Sequence, residues 1–305
     1  MAQELSLRVH PEAPAAPSGL ARAWARLRRD PVMIAAALVV AGLLGGGLLA
    51  PLLTPYSPHD ADVLARLEPP GSSGHLLGTD HLGRDLLARL LYGGRTSLLV
   101  GFAAVLLAMA IGVPVGLISG FYGGRVDAVL MRLVDVLMAF PSVLLAIAII
   151  AALGPGLMKT MVAVAIVGVP YYARIVRGLA LSLKEKEFVE AARGIGAPAW
   201  WIMVRHILPH SSGPLLVAAT LDVGWMITAA AGMSFLGLGA QPPTAEWGIM
   251  LSEGRQYIRV APHVSVLPGM AIFLVVLSLN LLGDGLRDLW DPHQRGSGES
   301  AGYWS

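Results

Sequence analysis

Six apolar stretches divide the chain, near residues 32–54, 97–120, 128–153, 158–178, 214–234 and 264–284. Each can cross a hydrocarbon layer of about 30 Å, which takes about 20 residues of helix. A helix is the predicted state because its backbone groups satisfy one another where water is absent. Within 128–153 the pair Phe140-Pro141 predicts a kink, since proline removes a backbone donor and clashes with the turn before it. Six spans return both termini to one side of the membrane. The polar positions between the runs choose that side. Arg174, Arg177, Lys184, Lys186, Arg193 and Arg205 lie in 174–210, and Arg8, Arg22, Arg26, Arg28 and Arg29 precede residue 31. Lys/Arg excess marks cytoplasmic segments, so both termini and this loop are predicted cytoplasmic, with 55–96 and 235–262 outside. In 55–96 the arginines are offset by Asp60, Asp62, Glu68, Asp80 and Asp85.

The organisation that follows is a tail over 1–31, a first span over 32–54, an outside segment over 55–96, a core with five spans over 97–287, and a tail over 288–305. The tail before Arg22, with Pro11, Pro14 and Pro17, is predicted to be disordered. A cleaved signal sequence is the alternative for the first run. It follows some thirty polar positions, however, and exceeds the 7–15 apolar residues typical of such a signal.

The loop over 181–210 interrupts the membrane pattern with helix signals of its own. Ser182 and Glu185 have capping-box spacing, Gly194 or Gly196 offers a left-handed stop, and Pro198 suits the first turn of a second helix ending before Pro209. Phe188, Ala191, Ala192 and Ile195 fall at helical spacing, and so do Trp200, Met203, Val204 and Ile207. A hairpin packed on its own helix ends explains this pattern, and so does a docking surface. Ala191 and Ala192 favour docking because small side chains admit a close neighbour, and Glu190 beside them can meet a cation on that neighbour.

Composition changes the picture only by fixing the class. With 55% hydrophobic and 14% charged residues over 305 positions and a mean hydropathy of +0.65, this is an all-α integral membrane protein. Absence of cysteine excludes disulfides and thiolate chemistry. A net charge of +2 carries no argument for nucleic acid. Among the intramembrane charges, Arg132 and Asp135 lie at i and i+3 and are expected to pair. Asp222, in the fifth run, should face the bundle interior or water, since an isolated carboxylate in hydrocarbon costs about 2.5–3.5 kcal/mol. Thr79, Asp80, Arg84 and Asp85, with Gly78 and Gly83, read as a cap and turn before the second run or as a contact with another protein. Arg95 and Ser97 share the cap-and-turn reading and are expected to anchor the interface. Gln241-Pro242-Pro243 through Trp247 cannot continue a helix and suggests a re-entrant or interfacial scoop, with Trp247 and Tyr257 as interface anchors.

Glu190-Ala191-Ala192, then Gly196, then Leu208-Pro209 resembles the E-A-A-x3-G-x9-I-x-L-P motif of bacterial ATP-binding-cassette importer permeases. His206 stands where the general motif has Ile, as "RHILP" does in the dipeptide/oligopeptide branch. "LGTDHLGRDLLARLLYGGRTSL" (77–98), "MRLVDVLMAFPSVLLAI" (131–147), "SFLGLGAQPPTAEWGIML" (234–251) and "NLLGDGLRDLWDP" (280–292) resemble the C-type permease of that branch, which also serves nickel importers. The resemblance implies a type I importer fold with six transmembrane helices and a cytoplasmic coupling helix-turn-helix. It implies a bacterial inner-membrane subunit with no cofactor of its own, ATP and Mg being held by two ATPase subunits. A second permease and an extracytoplasmic peptide-binding protein complete the assembly. It further implies that Glu190, Ala191, Ala192, Gly196, His206, Leu208 and Pro209 meet the ATPase, while Arg132, Asp135, Phe140 and Asp222 belong to the pathway or subunit interface. The acid that the family carries near Ala230 is missing.

No phosphate cradle is present: "GPGLMKT" (154–160) lacks the second glycine before its Lys. Two other functions remain as alternatives. One is a proton-coupled secondary transporter relaying through Asp222 or Asp135. The other is an intramembrane serine protease using Ser234 and His263, with Phe235 where such enzymes usually have Gly.

Overall fold

The computed structural model describes residues 30–290 apart from Ser73. Most of the predicted tails, with the arginines before residue 30, lie outside the described residues. Helix α1 (Pro31–Leu48) starts at Asp30, whose carboxylate accepts from the Val32 and Met33 amides, and a short turn Ala50–Leu53 extends it. Then come α2 (Leu86–Tyr122), α3 (Gly124–Met138), α4 (Ser142–Leu153), α5 (Leu157–Leu183), α6 (Glu187–Gly194), α7 (Ala199–Phe235), α8 (Trp247–Gly254) and α9 (His263–Trp290).

Five described helices are long and apolar enough to cross a bilayer, and counting α3 with α4 as one bent span gives six. The kink expected at Phe140-Pro141 is a full break: α3 and α4 meet at 89°. The single span read over 128–153 is therefore two pieces. The twelve residues of α4 reach only about 18 Å, short of the hydrocarbon thickness. The second span also begins earlier than the apolar run, because Asp85 caps Leu86 onward by accepting from the Ala88 amide.

The tightest seam joins α2 to α5. Gly112, Gly116 and Gly120 recur every fourth residue on α2, and a Cβ built on Gly116 would sit 2.3 Å from the Ala173 carbonyl oxygen. With no apolar solvent penalty to drive association in lipid, such close backbone approach is what binds helices to one another. Around this seam α7 packs on α2, α5 and α9, and α9 on α1. The buried core runs through Ala104, Ala108, Val164, Tyr172, Val176, Met226 and Ile227.

The two ends of the bundle differ. At one end the segments 55–85 and 236–262 fold over the helix tips: Arg66 donates to the Tyr257 hydroxyl and the His59 ring contacts the Pro243 carbonyl at 3.2 Å. This is termed the capped end. At the other, the hairpin end, 184–198 projects between α5 and α7.

Candidate functional site

The hairpin is built by its turn. The Gly196 amide donates to Arg193 and the Ala197 amide to Ala192, closing α6 with Gly196 at φ +80°. This pair of bonds around a left-handed glycine is the usual way to satisfy the last carbonyls of a helix. Gly196, rather than Gly194, is thus the stop. The capping box at Ser182 does not form, because α5 continues to Leu183 and α6 starts at Glu187 behind Lys186, with no side-chain cap. Nor does a second helix end before Pro209. A five-residue π turn, Met203–Ile207, carries α7 straight on into Leu208 and Pro209. The Leu208 amide bonds to Met203 five residues back, and the wider turn passes a proline that has no donor to offer.

Burial divides the hairpin into two surfaces. Val189, Ala192, Ile202, Met203 and Ile207 are buried against the bundle. Glu190 and Ala191 are exposed, and beside them stand Ile195 at 84%, Trp200 at 62% and Val204 at 55% exposure. Apolar side chains this open, next to a carboxylate, form a ready contact surface. Ala192 belongs to the inner surface, so the two alanines of the motif do different jobs. His206 is half-buried, its ring 4.8 Å from that of Trp201 and 6.1 Å from that of Phe188, while Phe188 stacks on His210 at 4.7 Å. These rings fasten α6 to the start of α7, and Arg193 lies 5.3 Å over Phe121 of α2. Leu208 and Pro209 line a cavity of about 550 Å³ between α2 and α7.

The charged residues of the broken span find partners that spacing did not indicate. Asp135 accepts from Arg174 of α5 at 2.8 Å, and the expected pair with Arg132 does not form; Arg132 is exposed. The bend in the span sets α3 beside α5, and for this carboxylate a guanidinium one turn along the same helix loses to one brought up by packing. Asp127, not singled out from sequence, takes two bonds from Arg177, at 2.6 and 2.7 Å, and one from the Ser119 hydroxyl. Phe140 is exposed at the break. Asp222 is half-buried and accepts from the Tyr172 hydroxyl at 2.7 Å, a partner on α5 inside the bundle.

At the capped end, Thr79, Asp80, Arg84 and Asp85 do act as cap and turn, and they do more. Asp80 accepts from Arg84 at 2.6 Å and lies 3.4 Å from Arg89, while Glu253 of α8 accepts from both arginines at 3.0 Å. Both arginines are almost fully buried, at 2% and 1% exposure. Asp85 also meets the His75 ring at 2.9 Å. Asp80, His81 and Glu253 bring three potential ligand atoms within 4.8 Å of one another. The two guanidiniums already neutralise these carboxylates, so the donor set suits an ion network rather than a metal. Burial pushes the His81 imidazole below its usual pKa, against the pull of Asp80 and Glu253.

The scoop is α8. Glu246 caps it through the Gly248 and Ile249 amides and accepts from Ser97 of α2. Trp247 is only 1% exposed; its indole N–H donates to the Leu90 carbonyl, and a Cβ on Gly94 would lie 2.8 Å from its ring. It is a core residue, not an interface anchor. Glycine at 93 and 94 was the signal that something large packs there. Tyr257 stacks on His81 at 5.7 Å. Ser234 is buried, and its hydroxyl oxygen accepts from the Ala240 amide, with no bond to His263. This serine closes a turn, and no nucleophile-base pair is assembled.

These features define a multi-helix membrane protein with a projecting hairpin, and comparison gives its family. Residues 112–296 match the family described as binding-protein-dependent transport system inner membrane component, and residues 18–70 match the N-terminal transmembrane domain of oligopeptide transport permease C. The chain belongs to the binding-protein-dependent inner-membrane permease family and is a permease subunit of an ATP-binding-cassette importer. It is 48% identical over 269 residues to the glutathione transport system permease protein GsiD of Pectobacterium atrosepticum, covering 88% of this chain and 89% of that one. It is 45% identical over 273 residues to the dipeptide transport system permease protein DppC of Alkalihalophilus pseudofirmus, covering 90% of each. Its fold is similar to that of a chain of the inward-facing MetNI methionine ABC transporter, at a TM-score of 0.54 and 22% identity, over 66% of this chain and 96% of that one.

Proposed function

We propose that this chain forms half of the translocation pathway of an importer for small peptides, glutathione or dipeptides among them, and that its hairpin receives the thrust of a separate ATPase. The observation that carries this reading is the open surface of Glu190, Ala191, Ile195, Trp200 and Val204 on a hairpin whose other face is locked into the bundle. A lever needs both: one face for the motor, one fixed to the moving part. The chain itself carries out no catalysis and binds no nucleotide; ATP and Mg sit on two ATPase subunits. A second permease supplies the other half of the pathway, and an extracytoplasmic binding protein delivers cargo to the capped end. In this arrangement the hairpin end and both termini face the cytoplasm. The cargo class rests on the names of the two relatives.

The chain's lack of cysteine makes the test direct. Single cysteines at Ile195 and Trp200, combined in turn with single cysteines on the ATPase subunit, should cross-link in the assembled importer. A cysteine at Ile249, buried at the capped end, should not. Uptake of labelled glutathione and dipeptides into cells lacking other peptide importers reads the cargo. Cross-linking without peptide uptake overturns the cargo and leaves the coupling; uptake without cross-linking does the reverse.

A further inference from the structure

Arg95 stands where α2 leaves its apolar run, and no charged residue follows it until Arg125. The helix continues from Arg95 to Tyr122 for 27 residues, about 40 Å, so a hydrocarbon layer of about 30 Å lies alongside with Arg95 at one boundary. The end of α1 reaches the same level, since a Cβ on Gly47 would lie 3.1 Å from the Arg95 amide. The buried or half-buried guanidiniums described above, those of Arg84, Arg89 and Arg177, all pair with carboxylates. Arg95 is exposed and makes no ion pair among the described residues.

Two cavities meet at this side chain. One, of about 420 Å³, is walled by His59, Tyr92, Thr96 and Thr244 on the side of the capping loops. The other, of about 430 Å³, runs the opposite way, between Leu44 and Leu48 of α1 and Leu99, Phe102 and Leu106 of α2. Arg95 and Leu99 belong to both. Phe102 and Leu106 continue into the larger cavity against α7, which makes the apolar track longer than a single site. Leu48, Leu99 and Leu106 are 66%, 58% and 66% exposed along it. A cation with hydroxyl groups around it, at the membrane boundary, above an apolar groove pointing into the hydrocarbon, has the polarity of one kind of molecule.

We propose that this is a binding site for an anionic phospholipid, with the phosphate on Arg95 and the adjoining hydroxyls and one acyl chain in the α1–α2 groove. The site stands whichever way the chain faces and whatever the cargo. Charge alone at a membrane surface is worth about fivefold in lipid affinity per basic residue, and a groove adds the chain contacts.

The purified importer, stripped of lipid in detergent, is titrated with dioleoyl-phosphatidylglycerol or dioleoyl-phosphatidylcholine and read by native mass spectrometry. Wild type should retain phosphatidylglycerol at lower concentration than phosphatidylcholine. Arg95→Gln should weaken phosphatidylglycerol by about fivefold, a single surface charge's share, and erase the preference, while Arg95→Lys keeps it. Leu99→Trp should weaken both lipids by narrowing the groove with the cation intact. Inorganic phosphate should fail to compete. p-Benzoylphenylalanine at Leu99 should photo-cross-link to lipid. Equal affinity for the two lipids, an Arg95→Gln variant that binds as wild type, competition by inorganic phosphate, or photo-cross-linking to the second permease in place of lipid would each overturn the site.

Discussion

Replacing Glu253 with Gln removes one of two carboxylates that hold two buried arginines. In the native arrangement Arg84 and Arg89 each donate to Glu253 at 3.0 Å, and Asp80 takes the remaining share at 2.6 and 3.4 Å. The four charges cancel. After the substitution Asp80 alone faces two guanidiniums that are 2% and 1% exposed, and one positive charge is left without a counterion. Breaking a buried pair by removing one partner costs about 3–5 kcal/mol. Glu253 itself is 14% exposed, so the lower end, about 3 kcal/mol, is expected. Removing the orphaned cation should return much of that loss, so Glu253→Gln with Arg89→Met should be more stable than the sum of the two single changes. Equilibrium unfolding of the chain by titrated SDS in mixed micelles measures all four corners of the cycle. Arg259→Ala, at an exposed position on the same end, serves as the control. If Glu253→Gln is no more harmful than the control, or if the double variant is merely additive, the network does not hold the capping loops to α8.

Other consequences are read more simply. Single cysteines at Ser182 and Ser72 should label from opposite faces of the membrane, Ser182 from the cytoplasm; labelling of Ser182 from outside reverses the orientation. Asp222→Asn and Tyr172→Phe should leave assembly intact, because each keeps or removes a single interhelical bond of 2.7 Å between α5 and α7. Loss of uptake in Asp222→Asn with normal assembly marks the carboxylate as part of the pathway, whereas loss of assembly marks it as structural. Gly116→Leu should destabilise by at least the 1–3 kcal/mol usual for overpacking, since its first carbon already overlaps the Ala173 carbonyl. Normal assembly of that variant would mean the α2–α5 seam is looser than described.

What could be read along the chain was what depends on neighbours in sequence. Apolar runs, the proline break at Pro141 and the left-handed Gly196 follow from local sterics and from the cost of unpaired backbone in lipid. The hairpin was legible for the same reason. Choices made by packing were not. Arg132 sits one turn from Asp135, yet Arg174 of another helix takes that carboxylate. Ser182 and Glu185 have capping spacing, but α5 runs on through Ser182 to Leu183 and leaves Glu185 in the turn before α6. Trp247 has the composition of a membrane-boundary residue and lies instead in a slot made by Gly93 and Gly94, more than 150 positions earlier in the chain. Long-range ion pairs, Glu253 with Arg84 and Arg89 above all, carry no periodic signal.

The measurement nearest the central claim is ATP hydrolysis by the complete importer carrying Glu190→Lys, in the presence of loaded binding protein, beside uptake in vesicles. Glu190 lies exposed on the first helix of the hairpin, outside the buried surface that anchors it, so the change leaves the fold alone. Reversing a charge at a close protein contact sets repulsion where attraction was, at a cost of several kcal/mol. The account predicts a complex that inserts and pairs with its second permease, but releases the ATPase or hydrolyses ATP without stimulation by cargo, and imports nothing. Full cargo-stimulated hydrolysis with normal uptake would contradict it, and the hairpin would not be where the motor takes hold.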